Sequence, residues 1–193
     1  MMVRFENKEI PTLETEKYLL RSLTLEDAPK LFVFMSDAET MKFITPHPVQ
    51  TLEEMEEKIK NHLANFQKEK EIPWVIIDKN SSEVIGMFCL HKLHMWHRKA
   101  ELGAILHPGY QRMGFMSEVL KRILPFGFNE LALNRIVGDI FAENLGSKRL
   151  MEKFWFHKDG ILRQKDFDRS RYHDTIVYSL LKVEYDQRSI DLY

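Results

Sequence analysis

The stretch Leu106 to Ser117, LHPGYQRMGFMS, decides how this chain is read. A β-rich run, Lys99 to His107 (KAELGAILH), ends in its first residues. Pro108-Gly109 turns the chain. A helix then opens around Gln111 to Met116 and continues with Met116, Val119, Leu120, Ile123 and Leu124 at helical spacing. A strand-loop-helix junction aims several unpaired backbone N–H groups at one point. The positive end of the helix dipole adds to them, and together they suit an anion such as phosphate. Gly114 allows close backbone approach and leaves no side chain in the nest. Arg112 adds a charge-assisted contact. One glycine alone reads equally well as a plain strand-to-helix turn.

Outward from that junction, the chain alternates between strand and helix signals. Tyr18 to Ser22 (YLLRS) is a short strand. Thr24-Leu-Glu-Asp27 caps a helix carrying Leu25, Ala28, Leu31, Phe32 and Met35. Thr51-Leu-Glu-Glu54 is a capping box, followed by the stripe Leu52, Met55, Ile59, Leu63 and Phe66. Pro73 to Asp78 and Glu83 to Leu93 read as a hairpin around Asn80-Ser81-Ser82. Beyond the junction, Pro125 interrupts the helical period and should kink the helix or end it early. Arg135 to Ala142 is a strand and Ser147 to Phe154 a short helix. Trp155 to Arg163 and Asp174 to Leu181 are the last strands. The expected class is α+β (α/β three-layer), with a mixed, twisted sheet of about seven strands and helices on both faces.

Composition narrows the function by exclusion. Of 193 residues, 28 are Lys or Arg and 29 are Asp or Glu, giving a net charge of -1. That balance excludes a general nucleic-acid coat or a polybasic membrane binder. Cys89 is the single cysteine, so an internal disulfide and a cysteine-cluster zinc site are both excluded. This suits a reducing cytoplasm. No uncharged run reaches the length of a membrane span. MMVRFENKEIPTLETE lacks the apolar core of a signal peptide and reads as a flexible leader over residues 1–16. One domain over 17–183 and a tail over 184–193 complete the expected organisation.

The junction resembles the acetyl-CoA pyrophosphate loop of the GNAT superfamily of N-acetyltransferases, whose pattern is Gln/Arg-x-x-Gly-x-Gly/Ala. Gln111, Gly114 and Met116 hold the patterned positions, Met116 in place of the usual small residue. Gly114-Phe115-Met116-Ser117-Glu118 is similar to the RimJ/RimL-type ribosomal-protein N-terminal acetyltransferase branch. The resemblance takes in Leu19-Leu20-Arg21, Glu101-Leu102-Gly103 and Leu133-Asn134-Arg135-Ile136. It continues through Asn144-x-x-Ser147, Glu152-Lys153, Asp159-Gly160-x-Leu162-Arg163 and Tyr172-x-Asp174-x-x-x-Tyr178, covering about residues 17 to 183. It departs at Trp155, where the family usually carries glycine before the phenylalanine.

The resemblance implies a GNAT fold whose sheet splays between its fourth and fifth strands. It implies acetyl-CoA as cosubstrate and no metal. Gln111, Arg112, Met113, Gly114, Phe115, Met116 and Ser117 would hold the pyrophosphate. The backbone of Ile105 and Leu106 would hold the pantetheine arm. Asn144 would contact the cofactor near its thioester, although asparagine there also reads as a helix cap. Ser147, one turn on, would donate to the departing thiolate. The superfamily's alternative acid, a tyrosine seven residues after the asparagine, is Met151 in this chain. A carboxylate would take the amine proton. Asp166 matches the base position of RimL-like enzymes, as Asp for Glu, and Glu101 matches that of more distant members. Each also reads as a solvated or paired surface charge.

The implied reaction is direct attack of a primary amine on acetyl-CoA. A protein N-terminal α-amine suits it chemically. With a pKa near 8, roughly a quarter is neutral at pH 7.5, against about 0.1% of a lysine amine. The acceptor is therefore expected to be a protein or peptide N-terminus, without direct nucleic-acid or membrane binding, and a homodimer is compatible with the reading. Two alternatives stay open: a small amine or polyamine acceptor, and a catalytically weak acyl-CoA-binding regulatory module. His91, His94 and His97 recur every third residue, but strand geometry points such neighbours to opposite faces. Cys89 lies mid-strand among apolar residues and reads as packing.

Overall fold

A computed structural model describes residues 9–111 and 113–189. Eight strands form one sheet: β1 (Leu13–Glu14), β2 (Tyr18–Ser22), β3 (Ile72–Asp78), β4 (Val84–His94), β5 (Lys99–Leu106), β6 (Arg135–Phe141), β7 (His157–Phe167) and β8 (Tyr172–Leu181). Their order is β1-β2-β3-β4-β5-β6-β8-β7. All neighbours run antiparallel except β5 and β6, which are parallel. The mixed sheet matches the expectation, with eight strands in place of about seven.

The additional strand lies in the expected leader, and the described part of that leader is pinned to the domain. Ile10 and Leu13 are buried. The fully buried Trp74 donates its indole N–H to the Pro11 carbonyl at 2.7 Å. The Glu118 carboxylate accepts from Thr15 Oγ1 at 2.7 Å and from the Lys17 N–H at 3.0 Å. Residues 1–8 and 190–193, the outer parts of the leader and tail, lie outside the described residues.

Helices cover both faces. On one, α1 (Ala28–Met35), α2 (Ala38–Met41) and α3 (Leu52–Gln67) set Leu31, Phe34, Met41, Met55 and Ile59 against Val75 and Met87. On the other, α4 (Phe115–Pro125) and α5 (Leu145–Lys153) set Val119, Leu120, Ile123 and Met151 against Phe88, Ile136 and Ile176. The tail begins with α6 (Lys182–Ser189), whose Tyr185 stacks on Phe128 at 4.8 Å.

Caps fix where the helices start. Thr51 accepts from the Glu54 N–H, while the Glu54 carboxylate reaches past the cap to the Gln50 N–H at 2.7 Å. Asp27 is buried before α1 and takes both Arg21 guanidinium nitrogens at 2.7 and 2.8 Å. Burial opposes ionisation of Asp27, but the Arg21 and Thr24 hydrogen bonds outweigh it and hold its carboxyl below the usual range. α4 ends at Pro125, as its position predicts, but the chain does not straighten there. The backbone continues over Phe126–Glu130 in a wider turn, closed by the Leu131 N–H on the Phe126 carbonyl five residues back.

β5 and β6 pair only at Lys99 with Arg135, Ala100 with Ile136, and Glu101 with Val137. Beyond Glu101 the two strands part, leaving a V that opens toward Leu106 and Phe141. Counting β1, these are the fifth and sixth strands. They are the same two segments expected to splay.

Candidate active site

Strand alternation decides what faces the V. The His107 N–H bonds to the Ile85 carbonyl of β4 at 2.9 Å, and Ile105 pairs with Met87. In an antiparallel ladder such pairs alternate with ones whose backbone groups face away. The N–H groups of Ala104 and Leu106 therefore point into the V, and the backbone of Ile105 is spent on β4. Of the two residues expected to hold the pantetheine arm, Leu106 turns its N–H into the V and Ile105 does not, while the N–H of Ala104 does. Gln111 Nε2 donates to the Leu106 carbonyl at 3.3 Å, so that carbonyl is occupied while the N–H stays directed to the gap.

At the mouth of the V, Pro108–Tyr110 form one tight helical turn, with the His107 ring accepting from the Gly109 N–H at 3.1 Å. Gly114 precedes α4 at φ +78°, a left-handed conformation that favours glycine. A Cβ built there meets no atom of the described residues within 4 Å, so among them the space above the helix start is open. The Ser117 and Glu118 N–H groups both return to the Gly114 carbonyl, at 3.0 and 3.4 Å. The N–H groups before them form the unpaired end of the helix. Phe115 is buried, with its ring 4.0 Å from that of Tyr18. Met116 packs against the main core, so its bulk turns away from the nest. Met113 is exposed, and Arg112 lies outside the described residues. This cradle, which a side chain at position 114 would fill, fits a pyrophosphate.

Lys153, at the end of α5, donates to Ser117 Oγ at 2.9 Å. It brings a positive charge to the first turn of α4. In the sequence it stands out only within the short Glu152-Lys153 motif, because its neighbour lies 36 residues away.

Asn144 caps α5, its Oδ1 accepting from the Ser147 N–H at 3.1 Å. The cap uses the carbonyl half of the amide and leaves its NH2 to other acceptors. Ser147 is half-buried in the first turn of α5. Met151 is buried one turn on, its Sδ 2.9 Å from where a Cβ on Gly138 would stand. The small residue on β6 thus admits this large one from α5.

On the opposite face lies a cavity of about 830 Å³, lined by Glu71, His91, Glu101, Arg135, Val137 and Asp139 among others. Glu101 occupies the last paired position before the strands part, and its carboxylate meets Lys92 Nζ at 2.7 Å. Asp166 lies further along β7 and accepts from the buried Thr175 hydroxyl at 2.5 Å. Lys165 pairs with Asp139 at 2.6 Å. Burial would lower the Lys165 pKa, but the Asp139 hydrogen bond and the charges of Asp139, Asp166 and Glu101 raise it. The two candidate bases thus act on one lysine, though only Glu101 lines the cavity.

Beyond the open end of the V, His173 is clasped by two carboxylates, Asp168 on Nε2 at 2.6 Å and Glu143 on Nδ1 at 3.1 Å. Phe43 and Phe141 face each other at 6.1 Å, and Arg169 contacts His47. Trp155, the departure from the family glycine, sits at φ +59° with Arg188 5.6 Å over its ring. The His94 ring, at the end of β4, meets that of His97 at 4.3 Å and a tilt of 38°, while His91 lies against Gly103.

Known proteins share this arrangement. The model of the acetyltransferase (GNAT) domain matches residues 17–157. An uncharacterized N-acetyltransferase of Bacillus subtilis (strain 168), YoaA, is 35% identical over 172 residues, which are 89% of this chain and 97% of that protein. The crystal structure of spermidine N-acetyltransferase from Vibrio cholerae, in complex with CoA and spermine, superimposes with a TM-score of 0.79 at 26% identity. That match covers 88% of this chain and 98% of the other. RimL, a ribosomal L7/L12 alpha-N-protein acetyltransferase solved with coenzyme A, shares the fold at a TM-score of 0.81 and 19% identity, covering 92% of this chain and 99% of its own. The nest, the V and these relatives together place the chain in the GNAT family of acetyl-CoA-dependent N-acetyltransferases.

Proposed function

We propose that the acceptor is a protein or peptide N-terminal α-amine, in the manner of the RimJ/RimL-type branch. One observation carries this reading. Two carboxylates around the V and its cavity are held by less exposed cationic or imidazole partners, Asp139 by Lys165 and Asp168 by His173, which leaves Glu101, met only by the exposed Lys92, as the one most readily released. A polyamine carries several charges and needs several unspent carboxylates along its length. A single α-amine needs only one base.

In this reading the helix start at Gly114 holds the pyrophosphate and Lys153 supplies a neighbouring charge. Ala104 and Leu106 N–H groups line the arm and the thioester, and an N–H already fixed by the strand costs no reorganisation as charge develops. Ser147 donates to the departing thiolate. Glu101 takes the amine proton. Its position at the apex of the V and in the cavity favours it over Asp166, which is tied to Thr175. Its partner Lys92 is largely exposed and can be given up to solvent at small cost.

The test is CoA release with three acceptors: peptides with free α-amines, the same peptides Nα-blocked but carrying lysine, and spermidine. Turnover is expected with the first alone. Turnover confined to spermidine would overturn the reading. Glu101→Gln should remove the rise of rate with pH, and Asp166→Asn should leave it in place. The reverse result reassigns the base.

A further inference from the structure

We propose that His62, Glu71 and Cys89 form a binding site for one borderline-soft divalent cation of the Zn²⁺ class. The three come from different elements, α3, the residue before β3, and mid-β4. One donor atom from each lies within 4.8 Å of the others. His62 Nδ1 and Glu71 Oε1 are 2.6 Å apart. In a tetrahedral site with metal–nitrogen or metal–oxygen bonds of about 2.0 Å and a metal–sulfur bond of about 2.3 Å, donors stand roughly 3.3–3.6 Å from one another. The His62–Glu71 contact must open by less than about 1 Å, and the sulfur must sit at a similar distance.

The donor chemistry points the same way. A nitrogen, a carboxylate oxygen and a sulfur form a mixed set that suits zinc better than calcium or magnesium, which take oxygen alone. Glu71 and Cys89 are buried, and His62 is partly exposed, so two donors are shielded and an entry path remains. Glu71 also lines the cavity beside His91. A fourth donor would come from solvent.

Without an ion, burial pushes the Cys89 thiol well above its ordinary value, and the charge of Glu71 adds to the effect. On binding, the Cys89 S–H bond breaks and the sulfur bonds to the cation as thiolate. That proton leaves to solvent, and the proton between His62 Nδ1 and Glu71 moves to Nε2 so that Nδ1 can bind the cation, so a neutral His62 gives one proton released per ion. The site would tie the end of α3 to β3 and β4, next to Glu101 but separate from the acetyl-CoA nest.

Cys89 is the single cysteine, so a sulfur signal has one source. The full chain, stripped with a chelator, is titrated with Co²⁺ and followed by absorption. A thiolate-to-cobalt charge-transfer band saturating at one ion per chain, and lost on adding Zn²⁺, is expected. Cys89→Ala should abolish the band. His62→Gln, at a partly exposed position, should weaken binding while acetyl-CoA still raises Tm, which shows that the variant folds. No band in the wild-type chain would overturn the proposal. So would Zn²⁺ stabilisation of equal size in wild type and Cys89→Ala, since that would assign the ion to surface histidines.

Discussion

Lys153 Nζ stands 2.9 Å from Ser117 Oγ, so the last turn of α5 is fastened to the first turn of α4. The contact crosses the mouth of the V and sets a cation beside the N–H groups of the helix start. A lysine there serves packing little, since it is exposed. Its charge, in a site that must hold a polyanion, is the property that matters. Lys153→Gln is expected to weaken acetyl-CoA binding about fivefold, close to 1 kcal/mol, as for one charge-assisted contact near solvent. Calorimetric titration at two salt concentrations checks it, because the difference between wild type and variant should shrink at high salt. A salt-independent loss would mean that the variant has disturbed the α4–α5 contact instead.

Gly114 makes two separable contributions. Its φ of +78° is costly for a residue with a Cβ, and the open space above it is what a ligand would use. Gly114→Ala should lower stability by about 1 kcal/mol through the left-handed backbone, since its Cβ meets no atom of the described residues. Gly114→Glu should carry the same backbone cost and in addition remove acetyl-CoA binding by filling and charging the cradle. Urea unfolding and thermal shift with acetyl-CoA separate the effects. Equal binding by the Glu variant would dismiss the nest.

His173 sets a pH dependence of known sign. Its hydrogen bond to Asp168 raises its pKa, against the opposing effect of burial, and Glu143 raises it further. Arg171, 3.6 Å from Glu143, also faces this cluster. A histidine that binds its proton more tightly when folded stabilises the protein fully below its unfolded pKa of about 6.5. That contribution disappears as pH rises through the higher folded value. His91 has the opposite sign. Burial lowers its pKa, so the folded state favours the neutral ring and its contribution grows as pH rises toward 6.5. In unfolding measurements from pH 5 to 9, His173→Gln should lose the alkaline decline, and His91→Gln should lose the acid-side rise. A decline that persists in His173→Gln would place its source elsewhere.

How far these features were legible in the sequence depended on how local their causes are. The turn at Pro108-Gly109, the glycine before α4 and the cap at Asn144 each act within a few residues, and all appear where residue chemistry put them. β1 did not announce itself, because two residues carry no period. It is held by Glu118 and Trp74, whose contacts span 103 and 63 residues. Pro125 does end α4, but the wide turn that follows it is not readable from the sequence. A missing N–H is tolerated where the turn widens, and Phe126, Gly127 and Phe128, buried just beyond it, keep the path helical. The choice between Ile105 and Leu106 was available in principle from strand alternation, once the pairing with β4 was known. The His62, Glu71 and Cys89 cluster was not, since three elements must fold before its members meet.

Trp155 offers a test in which backbone and side chain pull in opposite directions. At φ +59°, a tryptophan costs about 1 kcal/mol relative to glycine. Against that, Arg188 covers the indole at 5.6 Å, an exposed cation–π contact of about 0.5–1 kcal/mol. Trp155→Gly relieves the first and loses the second, so its stability should fall within about 0.5 kcal/mol of wild type. Trp155→Ala keeps the strained backbone and loses the contact, so it should be less stable than the glycine variant by about 1 kcal/mol. Chemical unfolding of the three proteins at one pH decides it. If alanine and glycine variants unfold together, the left-handed backbone carries no cost and the indole is retained for its packing alone. If glycine is the least stable of the three, the ring makes contacts with the α5–β7 turn that outweigh the conformational relief.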